Sequence, residues 1–257
     1  MRIDVSIKGL DATLASLRGL AENKIKAATV AALNDAARSG YEATRKEMAR
    51  VFDRPTPWVL GGVQYIKARK DNLQSKVDFD KWGNKYGVTV EKILAAELSG
   101  GQRRNKRHES LLQRAGILPS GMGIVPGGAA KIDQYGNMSA GQIVQIIAWF
   151  KGFGEQGYKA NIDDKGRRRI GKDNKRTGAR GFAYFALQQR RGKLLPGVYQ
   201  RVQTGFGSAI KPVMVFVRMP AYKKRLDFYG IADKAAREQF MISFPRYLDQ
   251  MLKERGR

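Results

Sequence analysis

Apolar and polar positions alternate at the start of the chain. Ile3, Val5 and Ile7 fall on one face, which predicts a half-buried strand over residues 2–7. Gly9-Leu10-Asp11 reads as a turn, with Asp11 as N-cap of a short helix carrying Leu14 and Leu17. The longest helical pattern runs over residues 22–51, where Val30, Leu33, Ala37, Tyr41, Thr44, Met48 and Val51 recur at three- and four-residue steps. Its many alanines (Ala27, Ala28, Ala31, Ala32, Ala36, Ala37) let another element approach closely. Arg54-Pro55-Thr56-Pro57-Trp58 stops this helix, and Thr56 before Pro57 is placed to cap one short turn.

Residues 63–69 and 73–79 then read as a hairpin turning at Lys70-Asp71-Asn72. Helices follow over 88–98, ended by Gly100-Gly101, and 106–115, ended by Gly116. Residues 118–138 hold two prolines and several glycines and predict a long connection, with one helical turn near 129–133. Ser139 caps an apolar helix over 141–150. Residues 151–180 are rich in Gly, Lys, Arg and Asp and read as a loop that orders only when a neighbour packs on it. Three strands (182–187, 197–201, 213–218) precede a last amphipathic helix over 231–252, which Pro245 should kink. The expected class is α+β: an antiparallel sheet packed against long N- and C-terminal helices, with a large inserted helical and loop region.

Composition narrows the chemistry. The 257 residues carry 48 Lys and Arg against 23 Asp and Glu, a net charge of +25, with one histidine and no cysteine. A surplus of that size repels itself unless an acidic partner lies nearby. Without cysteine there is no disulfide, thiolate nucleophile or thiolate-bound zinc. No apolar run approaches the length of a membrane span, and the N-terminus lacks a signal-peptide core, so a protein made in the cytoplasm without membrane contact is expected. His108 stands alone in a basic segment. Asp163-Asp164 would suit a metal-dependent nuclease only with a third carboxylate on a rigid scaffold. The glycines of 121–128 lack the Lys-Ser/Thr of a phosphate loop. The expectation is therefore no enzyme and no cofactor or metal.

Two basic clusters are the stronger signal. Residues 101–114 hold five Lys/Arg and one acid, and residues 159–193 hold twelve and three. Together they contribute about half the net charge. Arg103, Arg104, Lys106 and Arg107 from the first, with Arg167, Arg168, Arg169, Lys172, Lys175 and Arg176 from the second, form the candidate basic interaction patch. It lacks interleaved aromatics for stacking single-stranded bases and any DNA-reading motif. Its target is then phosphate without sequence readout, or an acidic protein.

Several segments, in order along nearly the whole chain, resemble one family. They are Gly9-Leu10-Asp11, Ala32-Leu33-Asn34, the run from Val51 to Trp58, Ala115-Gly116-Ile117-Leu118-Pro119 and Asp133-Gln134-Tyr135-Gly136-Asn137-Met138-Ser139 leading into Gln142-Ile143-Val144-Gln145. Leu195-Pro196-Gly197-Val198-Tyr199-Gln200-Arg201, the run 211–217 and the run 222–230 complete the set. The set is similar to the minor tail proteins of tailed phages of the lambda tail protein Z type, and more distantly to tail-completion and tail-to-head joining proteins. The resemblance implies a structural virion protein at the head-proximal end of a tail. Such a protein forms a ring of six copies, or alternatively twelve, through which genomic DNA passes, beside neighbouring tail or connector proteins. It implies no catalytic residues. Residues 80–195 look like an elaboration within one domain spanning 1–257. Arg54, Pro55, Trp58, Tyr135 and Asn137, with the alanine stripe of the long helix, are candidate subunit contacts, and the same features also serve ordinary intrachain packing. The rival reading is a non-specific DNA-binding or packaging accessory.

Overall fold

The computed structural model describes residues 10–83, 87–154, 160–205 and 207–253. The chain forms two compact units: residues 1–94 with 224–257, and residues 95–223 inserted between them. The expected strand over residues 2–7 lies outside the described residues.

The first unit is built on α1 (Leu10–Val51), α2 (Pro57–Gly61), the strands β1 (Val63–Ile66) and β2 (Lys76–Phe79), and α7 (Phe228–Lys253). The helix begins at Leu10, beside the expected Asp11 start, and the expected separation between a short helix and the one over 22–51 does not occur. No proline interrupts residues 10–51, and an interior glycine such as Gly19 costs a helix only about 1 kcal/mol, so one helix runs through. Thr56 caps α2 as its sequence position implies, accepting from the Val59 amide, with Pro57 in the first helical position. β1 and β2 pair antiparallel, Val63 opposite Phe79, and the turn closes through reciprocal backbone bonds between Arg69 and Asn72.

The long N- and C-terminal helices, expected against a sheet, pack on each other, and the alanine stripe is their seam. Ala28, Ala32, Ala36 and Ala37 are buried inside the chain and are not a surface for neighbouring subunits, a correction to the sequence reading. Gly40 shows how close the approach is: a Cβ there would lie 2.9 Å from the Ala232 carbonyl oxygen. Polar residues fix the register. One oxygen of Asp35, Oδ2, accepts from the Ser243 and Tyr247 hydroxyls and from Arg246, each at 3.0 Å. Asn34 clamps the Ala68 backbone, accepting from its amide at 2.7 Å and donating to its carbonyl at 3.3 Å. Phe79 and Phe228 stack at 4.1 Å in the core below. Pro245 lies within α7, where it withholds one helical hydrogen bond.

The second unit centres on a four-stranded antiparallel sheet in the order β4-β7-β6-β5, from β4 (Met122–Pro126), β5 (Phe182–Leu187), β6 (Gly197–Thr204) and β7 (Gly207–Arg218). The three late strands therefore lie inside this unit, not outside an elaboration ending at residue 195. Two helices, α4 (Arg107–Arg114) and α5 (Ala140–Trp149), supply Leu112, Ile146, Ile147 and Trp149 to a core completed by Ile124, Tyr184, Val198, Met214 and Phe216. α3 (Val90–Ser99) precedes this sheet, and a short pair, β3 (Gly101–Gln102) with β8 (Ala221–Tyr222), flanks it.

Two expectations fail here. The region 118–138 contains β4, because β7 supplies a partner for a glycine- and proline-containing run that has little strand character of its own. The expected helical turn at 129–133 is instead a turn organised by Asp133 and closed by an Ile132–Met138 bridge. Within the segment 151–180, read as a loop, residues 164–170 form α6 (Asp164–Ile170) and Asn174 bridges to Ala179. Among the described residues no helix is long and apolar enough to cross a membrane.

Candidate functional site

The charge of the molecule is divided unequally between the units. The inserted unit carries 23 Lys and Arg against seven Asp and Glu over residues 95–223, and the rest of the chain carries 25 against 16. Among the described residues the first unit offsets part of its charge with nine ion pairs, many of them one helical turn apart. The second has two, Arg103–Glu109 and Arg167–Asp164.

Its acids are few, seven against 23 cations, and three of them serve the backbone. Asp163 caps α6, accepting from the Gly166 amide at 2.7 Å. Asp173 accepts from the Gly181 amide at 2.7 Å. Asp133 accepts from the Tyr135 and Asn137 amides at 2.9 Å each. Carboxylates that satisfy backbone donors hold turns and helix ends in place. Among the described residues no group of three or more His, Cys, Asp or Glu is placed to hold a metal ion.

The two basic clusters occupy opposite edges of the sheet, about 14 Å apart at the usual strand spacing. At the β4 edge, Arg103 turns inward. Its guanidinium makes a bidentate pair with Glu109 at 2.6 and 2.7 Å, and Glu109 also accepts from the amides of Lys106 at 2.6 Å and Ile124 at 2.8 Å. Glu109 is 0% exposed. Burial alone would raise its pKa, but these hydrogen bonds and the Arg103 charge outweigh it and hold the carboxyl below the usual glutamate range. Arg104 and Arg107 remain exposed at this edge. Burial and the neighbouring cations against the pull of Glu109 leave His108 below the ordinary histidine value.

The second cluster follows the β5 edge. Arg167 is again an inward residue: it donates to the Trp149 carbonyl at 2.6 Å and lies over the Trp149 ring at 5.6 Å. Arg168 and Arg169 on α6, then Lys172, Lys175 and Arg176 in the following loop, are exposed and have no carboxylate partner among the described residues. Arg180 donates to the Gln203 carbonyl on β6 at 3.4 Å. Arg201, one strand in, projects from the face opposite the core; register pairs it with Ala183, and it lies 5.0 Å over the Phe185 ring, which stacks on Tyr199 at 5.4 Å. Arg190, Arg191 and Lys193 form an exposed turn at the far end of β5. Arg180 and Arg201 were not among the sequence candidates. The alternation of β6, which sets Arg201 with Tyr199 on the non-core face, is the signal that could have found Arg201.

The candidate subunit contacts have separate places. Trp58 is 40% exposed, Pro55 is half-buried, and Arg54 has a left-handed backbone (φ 46°) and pairs with Asp53 at 3.0 Å. Tyr135 and Asn137 belong to the Asp133 turn in the other unit. No family model, curated protein or solved structure matches the chain.

Proposed function

We propose that this chain is a structural virion protein of the head-proximal end of a phage tail. It forms a ring, of six copies or alternatively twelve, that completes the tail or joins it to the head connector while DNA passes through. The observation that carries the reading is the unequal charge of the units. The first unit pairs much of its charge internally and exposes large apolar side chains, among them Trp58, Trp82 and Met241, suited to protein neighbours. The inserted unit keeps an uncompensated basic edge suited to an acidic one. The ordered resemblance of the segments quoted above to phage minor tail proteins supplies the context. A ring built by a heterologous interface needs two different faces on each subunit, which fits such a division of surface.

The second reading, a non-specific DNA-binding or packaging accessory, draws on the same unpaired cations. Mass spectrometry and electron microscopy of purified particles separate the two. Stoichiometric presence in a ring at the tail's upper end is the expected result. Absence from mature particles overturns the tail reading in favour of the accessory.

A further inference from the structure

We propose that the β5 edge of the inserted unit is a docking surface for the phosphate backbone of duplex DNA, used without sequence readout. It rests on the tail reading for the source of the duplex, and commits to what the basic face meets.

Topology makes the site. Arg168 on α6, Lys172, Lys175 and Arg176 in the next loop and Arg180 at the foot of β5 come from successive parts of the chain to the β5 edge, and Arg201 on β6 lies one strand in, on the face away from the core. No carboxylate among the described residues pairs with any of them. The one acid in the loop, Asp173, is turned to the Gly181 amide, and Asn174 accepts from the Arg176 and Thr177 amides at 3.0 and 3.2 Å. The loop's cations are thus carried on a backbone held by its own side chains. Arg201 on Phe185 and Arg180 on the Gln203 carbonyl are already oriented, which reduces the ordering cost of contact.

The surface also lacks what a protein partner needs. Residues 171–180 are all exposed and contain no large apolar side chain, whereas protein interfaces have an apolar core and a depletion of lysine. Interfaces with DNA are more polar and far more positive. That contrast favours a polyphosphate over an acidic protein.

The test is titration of the purified full chain with a 30-base-pair DNA duplex of arbitrary sequence across a salt series. Six phosphate contacts predict that log Kobs falls with log salt at a slope of about −5, roughly a thousandfold loss of affinity between 50 and 200 mM. Replacing Lys172, Lys175, Arg176 and Arg201 with Gln should flatten the slope to about −2. The control Lys46→Gln/Lys67→Gln/Arg69→Gln/Lys70→Gln, which removes the same charge from the first unit, should keep the wild-type slope. Equal flattening by both variants, or no wild-type binding at 50 mM, overturns the proposal. So does displacement of the duplex by polyglutamate of matched charge as readily as by unlabelled DNA, which would assign the surface to an acidic protein. A chain found in particles that binds no duplex sinks this inference alone. A chain that binds duplex through these residues but is absent from particles sinks the tail reading alone.

Discussion

The Arg103 guanidinium grips the Glu109 carboxylate through both of its oxygens, at 2.6 and 2.7 Å, so the first cation of a conspicuous basic run is an internal strut. Glu109 carries that strut to the sheet through the Ile124 amide and to the start of α4 through the Lys106 amide. Removing the carboxylate charge strands Arg103 beside a carboxamide, and breaking a buried pair on one side costs about 3–5 kcal/mol. Glu109→Gln should therefore lower the unfolding free energy by about that amount, read by chemical denaturation at pH 7.

The same pair sets an acid limit. The Glu109 carboxyl is held below its ordinary value in the folded state. Its contribution is thus complete above the unfolded glutamate pKa of about 4.3 and is lost as the pH falls through the lower folded value. Thermal unfolding across pH 7 to 2 should show wild-type stability dropping below about pH 4.3, with a shallower drop in Glu109→Gln. Parallel curves would mean that other carboxylates govern the acid transition.

In the first unit, Asp35 holds three donors of α7 on one oxygen. Asp35→Asn preserves shape but replaces charge-assisted bonds, each worth about 1.5–3 kcal/mol, by neutral ones. A loss of about 1–3 kcal/mol is expected from urea titration. Gly40→Ala should cost a similar 1–3 kcal/mol by a different route, because its methyl meets the Ala232 carbonyl oxygen at 2.9 Å.

Reversing charge at the β5 edge should disturb assembly without disturbing the fold, provided Arg167 is spared. Arg168→Glu/Arg169→Glu/Lys172→Glu changes exposed side chains whose individual pairings are worth about 0.2–1 kcal/mol. The purified subunit should keep its melting temperature while particles accumulate with unjoined heads and tails. Normal yields of infectious particles would show the edge to be a solvated surface. Arg167→Glu, by contrast, should lower the melting temperature, since it removes the bond to the Trp149 carbonyl and the contact with its ring.

Asp163 gives a discriminating check on chemistry. Its carboxylate is occupied as the N-cap of α6, so Asp163→Ala should destabilise that helix by about 0.5–2 kcal/mol. Incubation of the wild-type chain with plasmid and magnesium should leave the DNA uncut. Cleavage that disappears in Asp163→Ala/Asp164→Ala would instead assign a nuclease.

What could be read from the residues is what neighbours in the chain determine. The Thr56-Pro57 helix start, the turn at 70–72 and the end of α4 at Gly116 (φ 70°) rest on contacts within a few positions, and the three late strands on a local alternation, though β7 begins at Gly207, ahead of the expected residue 213. The alanine stripe announced a close approach, but not that α7 of the same chain, rather than a neighbouring subunit, makes it. The rest depended on partners far away in sequence. β4 exists because β7 lies beside it, although the two are separated by most of the inserted unit. Arg103 and Arg167 look like their exposed neighbours in a basic run, and only Glu109 and Trp149, placed by the packing of α4 and α5, turn them inward. Likewise no local pattern relates Arg201 to Arg180 and Lys175. A charge announces that a partner is needed, but long-range packing decides whether that partner is a buried carboxylate of the same chain or something outside it.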